Sequence, residues 1–212
     1  MGLLNPYLEF FRAMPSAFQR NPSVPVSPAE YLSPEWLKLK AGIAGHFAWA
    51  VPTEEAIRVV LKYATNMVEI GAGSGYWAWM MRQVGIAVAA FDAAPPPFTW
   101  SKVDQCDERA VSYYPYHTLF LCWPPWNSDM AYNALACYQG NHFVYVGEWM
   151  GGSANPRFFG QLATTLELID VVDIPQWQNR DDRLMIFRRL NSSAQSLLRS
   201  TRSNVARLNS TP

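Results

Sequence analysis

Short apolar runs and helical stretches alternate along the middle of the chain. Residues 66–70 form an apolar run that ends at glycines and reads as a strand, and 76–84 follow with helical spacing. Residues 86–91 give a second strand, stopped by Asp92 and the prolines at 95–97, and 102–105 a short third. A fourth strand at 117–122 is stopped by Pro124 and Pro125, with a helix over 129–138 behind it. Residues 142–146 are the fifth strand, 156–167 a helix opened by Asn155 and Pro156, and 169–174 and 184–188 complete seven strands. The alternation predicts an α/β fold, a doubly wound, mostly parallel seven-stranded sheet with helices on both faces. Residues 175–183, between the last two strands, are too few for a helical crossover, so the last strand is expected to be antiparallel.

The flanks read differently. Prolines recur from 15 to 34 with Ser and Asn between them, which keeps the backbone extended, as in a surface strap. Ser33, Pro34 and Glu35 look like an N-cap, a first-turn proline and a first-turn acid, opening a helix through Trp36, Leu37, Leu39 and Ile43. Pro52-Thr53-Glu54-Glu55 opens another, with Ile57, Val60 and Leu61 on one face. The first twenty residues are amphipathic, but Asn5, Pro6 and Glu9 interrupt what a secretory signal needs, and Pro6 stands where a myristoylation pattern wants Ser or Thr. The expected organisation is an N-terminal helical, proline-rich strap and lid over 1–50, the α/β domain over 51–190, and a disordered Ser/Asn/Arg-rich tail over 191–212.

Composition narrows the function classes. Of 212 residues half are hydrophobic and 16% charged, enough apolar material for a core and too little charge for a disordered chain. The 17 basic residues cancel the 17 acidic ones, which weakens any electrostatic hold on phosphate backbones. Arg199, Arg202 and Arg207 in the tail leave the rest of the chain at −3. Arg180, Arg183, Arg188 and Arg189 cluster, but Asp181 and Asp182 sit among them, the pattern of a solvated strand end. No run reaches the roughly 18 apolar residues of a membrane helix, so no membrane partner is expected. Cys106, Cys122 and Cys137 form no C-x-x-C pair and are odd in number, which fits a reducing compartment; the expected location is cytoplasmic.

Chemistry enters at Glu69-Ile70-Gly71-Ala72-Gly73-Ser74-Gly75, where the first strand turns into a helix. Glycines permit positive φ and close approach of a ligand, and a helix N-terminus favours negative charge, so a nucleotide-type cofactor suits the turn. The dinucleotide fingerprint has its third glycine three residues after the second; here Tyr76 holds that place and the last glycine comes one residue early. That spacing, with an acid two residues before the first glycine, resembles motif I of the class I S-adenosylmethionine-dependent methyltransferases, and the resemblance covers about 49–190. It implies that Glu69 and the backbone around Gly71, Ala72, Gly73 and Gly75 hold the methionine part of S-adenosylmethionine, the acid facing its ammonium group. Asp92, followed by Ala93, ends the second strand about 20 residues past the first glycine, where an acid bonds a ribose hydroxyl. Asp104, Cys106 and Asp107 are equal candidates for an adenine contact. In this fold the segment before the first helix closes over the cofactor, which brings in Trp49 and Thr53.

Cys122-Trp123-Pro124-Pro125-Trp126 ends the fourth strand at the carboxyl edge of the sheet, where open α/β folds place ligands. It resembles the Asp/Asn-Pro-Pro-aromatic motif of amino-group methyltransferases, in which the polar residue and the proline carbonyl accept hydrogen bonds from the target amine. Trp123 stands in the Asp/Asn position, so that acceptor is missing; Asn127 replaces it only if the loop turns back. Cys122 and Trp123 are then expected to face the cofactor, and Pro124, Pro125, Trp126, Asn127 and Trp149 the acceptor. In-line methyl transfer depends on alignment more than on a base. Glu148, ending the fifth strand, and His46, just before the lid, are the candidates for a catalytic base. His117 and His142 begin strands on the opposite edge, and the three histidines lack metal-ligand spacing, so no metal is expected.

The reading is a methyltransferase acting on a small-molecule acceptor, with Tyr76, Trp100, Trp123, Trp126 and Trp149 available as walls for a flat or hydrophobic molecule or as anchors for a partner protein. Trp77 and Trp79 are expected in the core. Three rivals stand beside it. One is a methyltransferase-like interaction module without turnover, which would explain the missing Asp/Asn. Another is a nucleic-acid amino-methyltransferase with a degenerate Pro-Pro motif. The third is a nicotinamide-dependent oxidoreductase, against which Tyr76 counts.

Overall fold

The structure, a computed structural model, describes residues 2–21 and 34–191. The expected cap at Ser33, most of the proline-rich strap and all but the first residue of the tail lie outside the described residues. Seven strands form one sheet: β1 (Asn66–Ile70), β2 (Ala87–Asp92), β3 (Asp104–Gln105), β4 (Thr118–Cys122), β5 (His142–Glu148), β6 (Leu166–Asp173) and β7 (Asp182–Arg189). Their order is β3-β2-β1-β4-β5-β7-β6. The pairs from β3 to β5 are parallel, and β7 is antiparallel to both β5 and β6, as the short connection between the last strands requires.

Among the described residues six helices flank the sheet: α1 (Pro6–Ala13), α2 (Pro34–His46), α3 (Glu54–Tyr63), α4 (Tyr76–Arg82), α5 (Met130–Cys137) and α6 (Pro156–Thr165). Because successive strand residues point to opposite faces, each central strand feeds two cores. Val68 and Ile70, Leu119 and Leu121, and Phe143 and Tyr145 pack with α5 and α6. Met67, Phe120, Val144 and Val146 join α1 to α4 on the other face. The caps are local: Asn5 accepts from Leu8 N, Thr53 from Ala56 N and Asn155 from Phe158 N, each satisfying a free first-turn donor.

Boundaries depart from the sequence pattern where a turn or a pairing intervenes. Helix α4 stops at Arg82 rather than continuing to 84, since Gly85 turns the chain at φ 87° and Ile86 N reaches back to Met81 O. Helix α6 ends at Thr165 and Leu166 already pairs with Arg189. Short 3-10 helices at Ser16–Phe18 and Glu108–Tyr113 have no counterpart in the hydrophobic period. The loop between β6 and β7 packs back on the N-terminus: Gln178 N donates to Phe18 O, Arg20 N to Gln176 O, and the fully buried Trp177 ring meets Phe11 edge-on at 4.7 Å.

Candidate functional site

At the carboxyl ends of β1, β2 and β4 lies a cleft of about 580 Å³. Glu69, Gly71, Ala72, Gly73 and Ser74 come to it from β1 and the glycine turn, Asp92 and Ala93 from β2, Cys106 and Asp107 from the segment after β3. Cys122, Trp123 and Pro125 come from the end of β4, and α2 with Phe47, Ala48 and Trp49 closes it. Residues from five separate chain segments, predicted one motif at a time, thus line a single cavity.

The glycine turn works by backbone shape. Gly71, Gly73 and Gly75 hold φ of 71°, 52° and 69°, the left-handed region where a Cβ is disfavoured. A Cβ at Gly73 would meet nothing within 4 Å, so the turn is open there. One at Gly75 would lie 2.7 Å from Val103 Cγ2; this glycine serves close packing at the start of α4 and does not line the cleft. Asp92 clamps the turn to β2: its Oδ2 accepts from Gly73 N at 2.8 Å and its Oδ1 from Ala94 N at 2.9 Å.

Glu69 is the unusual group. It is 1% exposed, lines the cleft, and its Oε2 has no hydrogen-bond partner. Burial pushes its carboxyl up to about 8, against the pull of Arg82 and the Ala78 backbone. A buried carboxyl with a free oxygen, on a residue that lines a cavity, is suited to a donor or cation that the chain itself does not supply.

The segment after α2 is fastened along its length. The carbonyl of His46 accepts from Trp100 Nε1 (2.8 Å), that of Phe47 from Ser74 Oγ, that of Ala48 from Tyr7 Oη (2.9 Å), that of Trp49 from Lys40 Nζ (2.5 Å) and that of Ala50 from Trp77 Nε1 (3.2 Å). Trp49 is held beside Trp123, ring centroids 5.8 Å apart and 26° between planes. Thr53 is spent on the α3 cap and does not line the cleft.

The Pro-Pro loop is shaped by Trp123. Its φ is 52°, its backbone N donates to Val146 O at 2.8 Å, and its Nε1 donates to Asp182 Oδ1 at 2.7 Å. Pro124 O accepts from Ala154 N at 2.8 Å, so the carbonyl that the amino-group motif would offer already has a donor. Pro125 lines the cleft, whereas Trp126 and Asn127 are exposed outside it. Trp149 lies against Phe159 and Phe187, away from the cleft. Glu148 is buried and ties loops together: Oε2 accepts from Gly152 N at 2.7 Å and Oε1 from Asp181 N at 3.1 Å. His46 is exposed, stacked on Phe98 at 5.1 Å. Of the adenine candidates, Cys106 and Asp107 reach the cleft and Asp104 does not. Among the described residues, no three His, Cys, Asp or Glu side chains form a group able to hold a metal, and no helix is long and apolar enough to cross a membrane.

Sequence reasoning passed over Ser74, Met130, Lys40 and Asp182. Lys40 had a signal: with Trp36, Ile43 and Ala44 it falls on the buried stripe of α2, where a charge is out of place. Asp182, at a strand start beside Asp181, had none.

No family model matches the chain, and no curated protein matches it. Among solved structures the chain is similar to the N-methyltransferase NodS from Bradyrhizobium japonicum WM9, at 15% identity over 65% of this chain and 93% of that one, with a TM-score of 0.49. It is similar to the same protein in complex with S-adenosyl-L-homocysteine, at 13% identity over 89% of this chain and 100% of that one, TM-score 0.48. It is also similar to the Burkholderia thailandensis 1,6-didemethyltoxoflavin-N1-methyltransferase with bound 1,6-didemethyltoxoflavin and S-adenosylhomocysteine, at 16% identity over 78% of this chain and 94% of that one, TM-score 0.49. The strand order with β7 reversed between β5 and β6, the glycine turn after β1 and the acid that ends β2 give this chain the fold of the class I S-adenosylmethionine-dependent methyltransferases.

Proposed function

We propose that the chain is an S-adenosylmethionine-dependent methyltransferase acting on a small, flat acceptor. The observation that carries this is the unpaired, buried oxygen of Glu69, a residue that lines the cleft whose floor is the open turn at Gly73. The residues suit the cofactor. Glu69 would take its ammonium group, the turn from Gly71 to Ser74 its methionine part, Asp92 a ribose hydroxyl through lone pairs that Gly73 and Ala94 leave free, and Cys106 and Asp107 would flank the adenine. When bound, S-adenosylmethionine supplies a methyl group on a sulfonium, open to in-line attack.

The chain's own contribution is positioning. The fastened segment from 46 to 50 holds Trp49, and Trp49 with Trp123 makes an aromatic wall that suits a planar molecule. Several features weigh against an amino group of a nucleic acid as the target. Trp123 replaces the acceptor side chain, the Pro124 carbonyl already accepts from Ala154 N, and the net charge is zero.

Calorimetry tests the reading. S-adenosylmethionine and S-adenosylhomocysteine should both bind, and Gly73→Arg, which fills the open turn, should weaken binding by about a hundredfold or more, some 2.7 kcal/mol. Absence of binding to the native chain would falsify the proposal. Turnover is read as S-adenosylhomocysteine released with a panel of flat phenols and nitrogen heterocycles; binding without release from any would favour the interaction-module reading.

A further inference from the structure

Two buried charges lie behind the cleft and take no part in holding the proposed cofactor. Lys40, on α2, is 4% exposed, and Asp182, the first residue of β7, is 0% exposed. Burial disfavours the charged form of each, lowering the lysine and raising the aspartate, while the charge of each opposes the other's shift. Glu148 and Arg180 also act on Asp182, and they face one another at 3.8 Å.

Each member of the pair bonds the aromatic wall, and Lys40 Nζ also donates to the Tyr7 hydroxyl at 3.4 Å. Lys40 Nζ donates to the Trp49 carbonyl at 2.5 Å and lies 4.6 Å from the Trp177 ring and 5.7 Å from the Trp49 ring. Asp182 Oδ1 accepts from Trp123 Nε1 at 2.7 Å. The two tryptophans so held are the ones stacked on each other, and both line the cleft. Trp123 needs such a hold, because a φ of 52° is unfavourable for a bulky residue and persists only where the surroundings impose it.

We infer that Lys40 and Asp182 are paired positioning residues: the ammonium fixes the backbone of Trp49, the carboxylate fixes the indole of Trp123, and together they keep the two rings stacked as the wall that receives a flat acceptor. The wall itself stands whatever fills the cleft; only its use for an acceptor rests on the proposed function.

Two stacked indoles give a paired exciton band in circular dichroism, and its loss in Trp49→Phe and in Trp123→Phe assigns it. Asp182→Leu and Lys40→Met should lose most of that band while still unfolding cooperatively. Asp182→Asn, which keeps an acceptor for the indole, should retain most of it. A full band in folded Asp182→Leu and Lys40→Met overturns the inference. Should those variants not fold, a double-mutant cycle between Asp182→Asn and Trp123→Phe, read as denaturant midpoints, decides. The change from carboxylate to amide should shift the midpoint by a different amount in the native chain than in Trp123→Phe, since contacting residues couple. An equal shift in both backgrounds overturns the inference. If the native chain binds no S-adenosylhomocysteine, the proposed function fails, while the exciton band and the cycle still decide on the wall.

Discussion

Glu69 sits where water does not reach, and its protonation is written into the stability of the fold. It holds its proton up to about pH 8 in the folded chain, against an ordinary value of 4.5. Across that window the folded state binds a proton that the unfolded chain has released, so stability is fully present below it and falls as pH rises through it. Glu69→Gln is neutral throughout and should flatten that fall, leaving the variant more stable than the native chain at pH 8 by on the order of a few kcal/mol. Denaturant midpoints from pH 5 to 8 measure this. An ammonium group in the cleft favours the carboxylate, so binding of S-adenosylhomocysteine near pH 7 should release a proton, seen by calorimetry in buffers of different ionisation heat. At this scale Glu69, Gly71, Gly73 and Asp92 were legible because their spacing lies on a single strand–turn–helix unit and the strand beside it. Glu148 was legible as a residue at the ligand edge, but the amides of Gly152 and Asp181 that occupy its oxygens were not, since nothing near it in sequence names Asp181.

The same turn separates two kinds of glycine. Gly73→Ala places its Cβ in open space and should cost about 1 kcal/mol for the positive φ alone. Gly75→Ala adds a clash with Val103 Cγ2 at 2.7 Å and Ser101 Oγ at 2.9 Å, and should cost about 3 kcal/mol or more, read as a lower thermal midpoint. A third element, the segment after α2, has no regular structure, yet each carbonyl from His46 to Ala50 has a side-chain donor. Its place as a lid followed from preceding α3; its rigidity did not, because the donors come from α1, α2, the glycine turn, α4 and the loop before β3. Strand and helix boundaries were legible to within a few residues, since period and caps are local, whereas the 3-10 helix at Glu108–Tyr113 carries no period to read.

In the whole molecule, α1 is a keystone of one face. Tyr7 is fully buried: its backbone N donates to Tyr76 Oη at 3.0 Å, and its hydroxyl donates to Ala48 O and accepts from Trp177 Nε1 at 3.1 Å. Tyr7→Phe therefore leaves the Ala48 carbonyl and the Trp177 N–H without a partner and should destabilise by about 1–3 kcal/mol. Because α1, the segment after α2 and the loop before β7 share these bonds, unfolding followed by tryptophan fluorescence and by far-ultraviolet circular dichroism should give one coincident transition; a separate early step in fluorescence would show that the N-terminal layer is independent of the sheet.

The order of strands and helices, the reversal of the last strand and the glycine turn were determined by the sequence alone, through hydrophobic period, caps, glycines and connection length, all of which act over a few residues. How the cleft is walled was settled by long-range packing. Tyr7 meets Trp177 across 170 positions and Trp123 meets Asp182 across 59. Such pairs are chosen when two packed layers close on each other, and the requirement that buried polar atoms find partners selects them without leaving a local pattern in the chain.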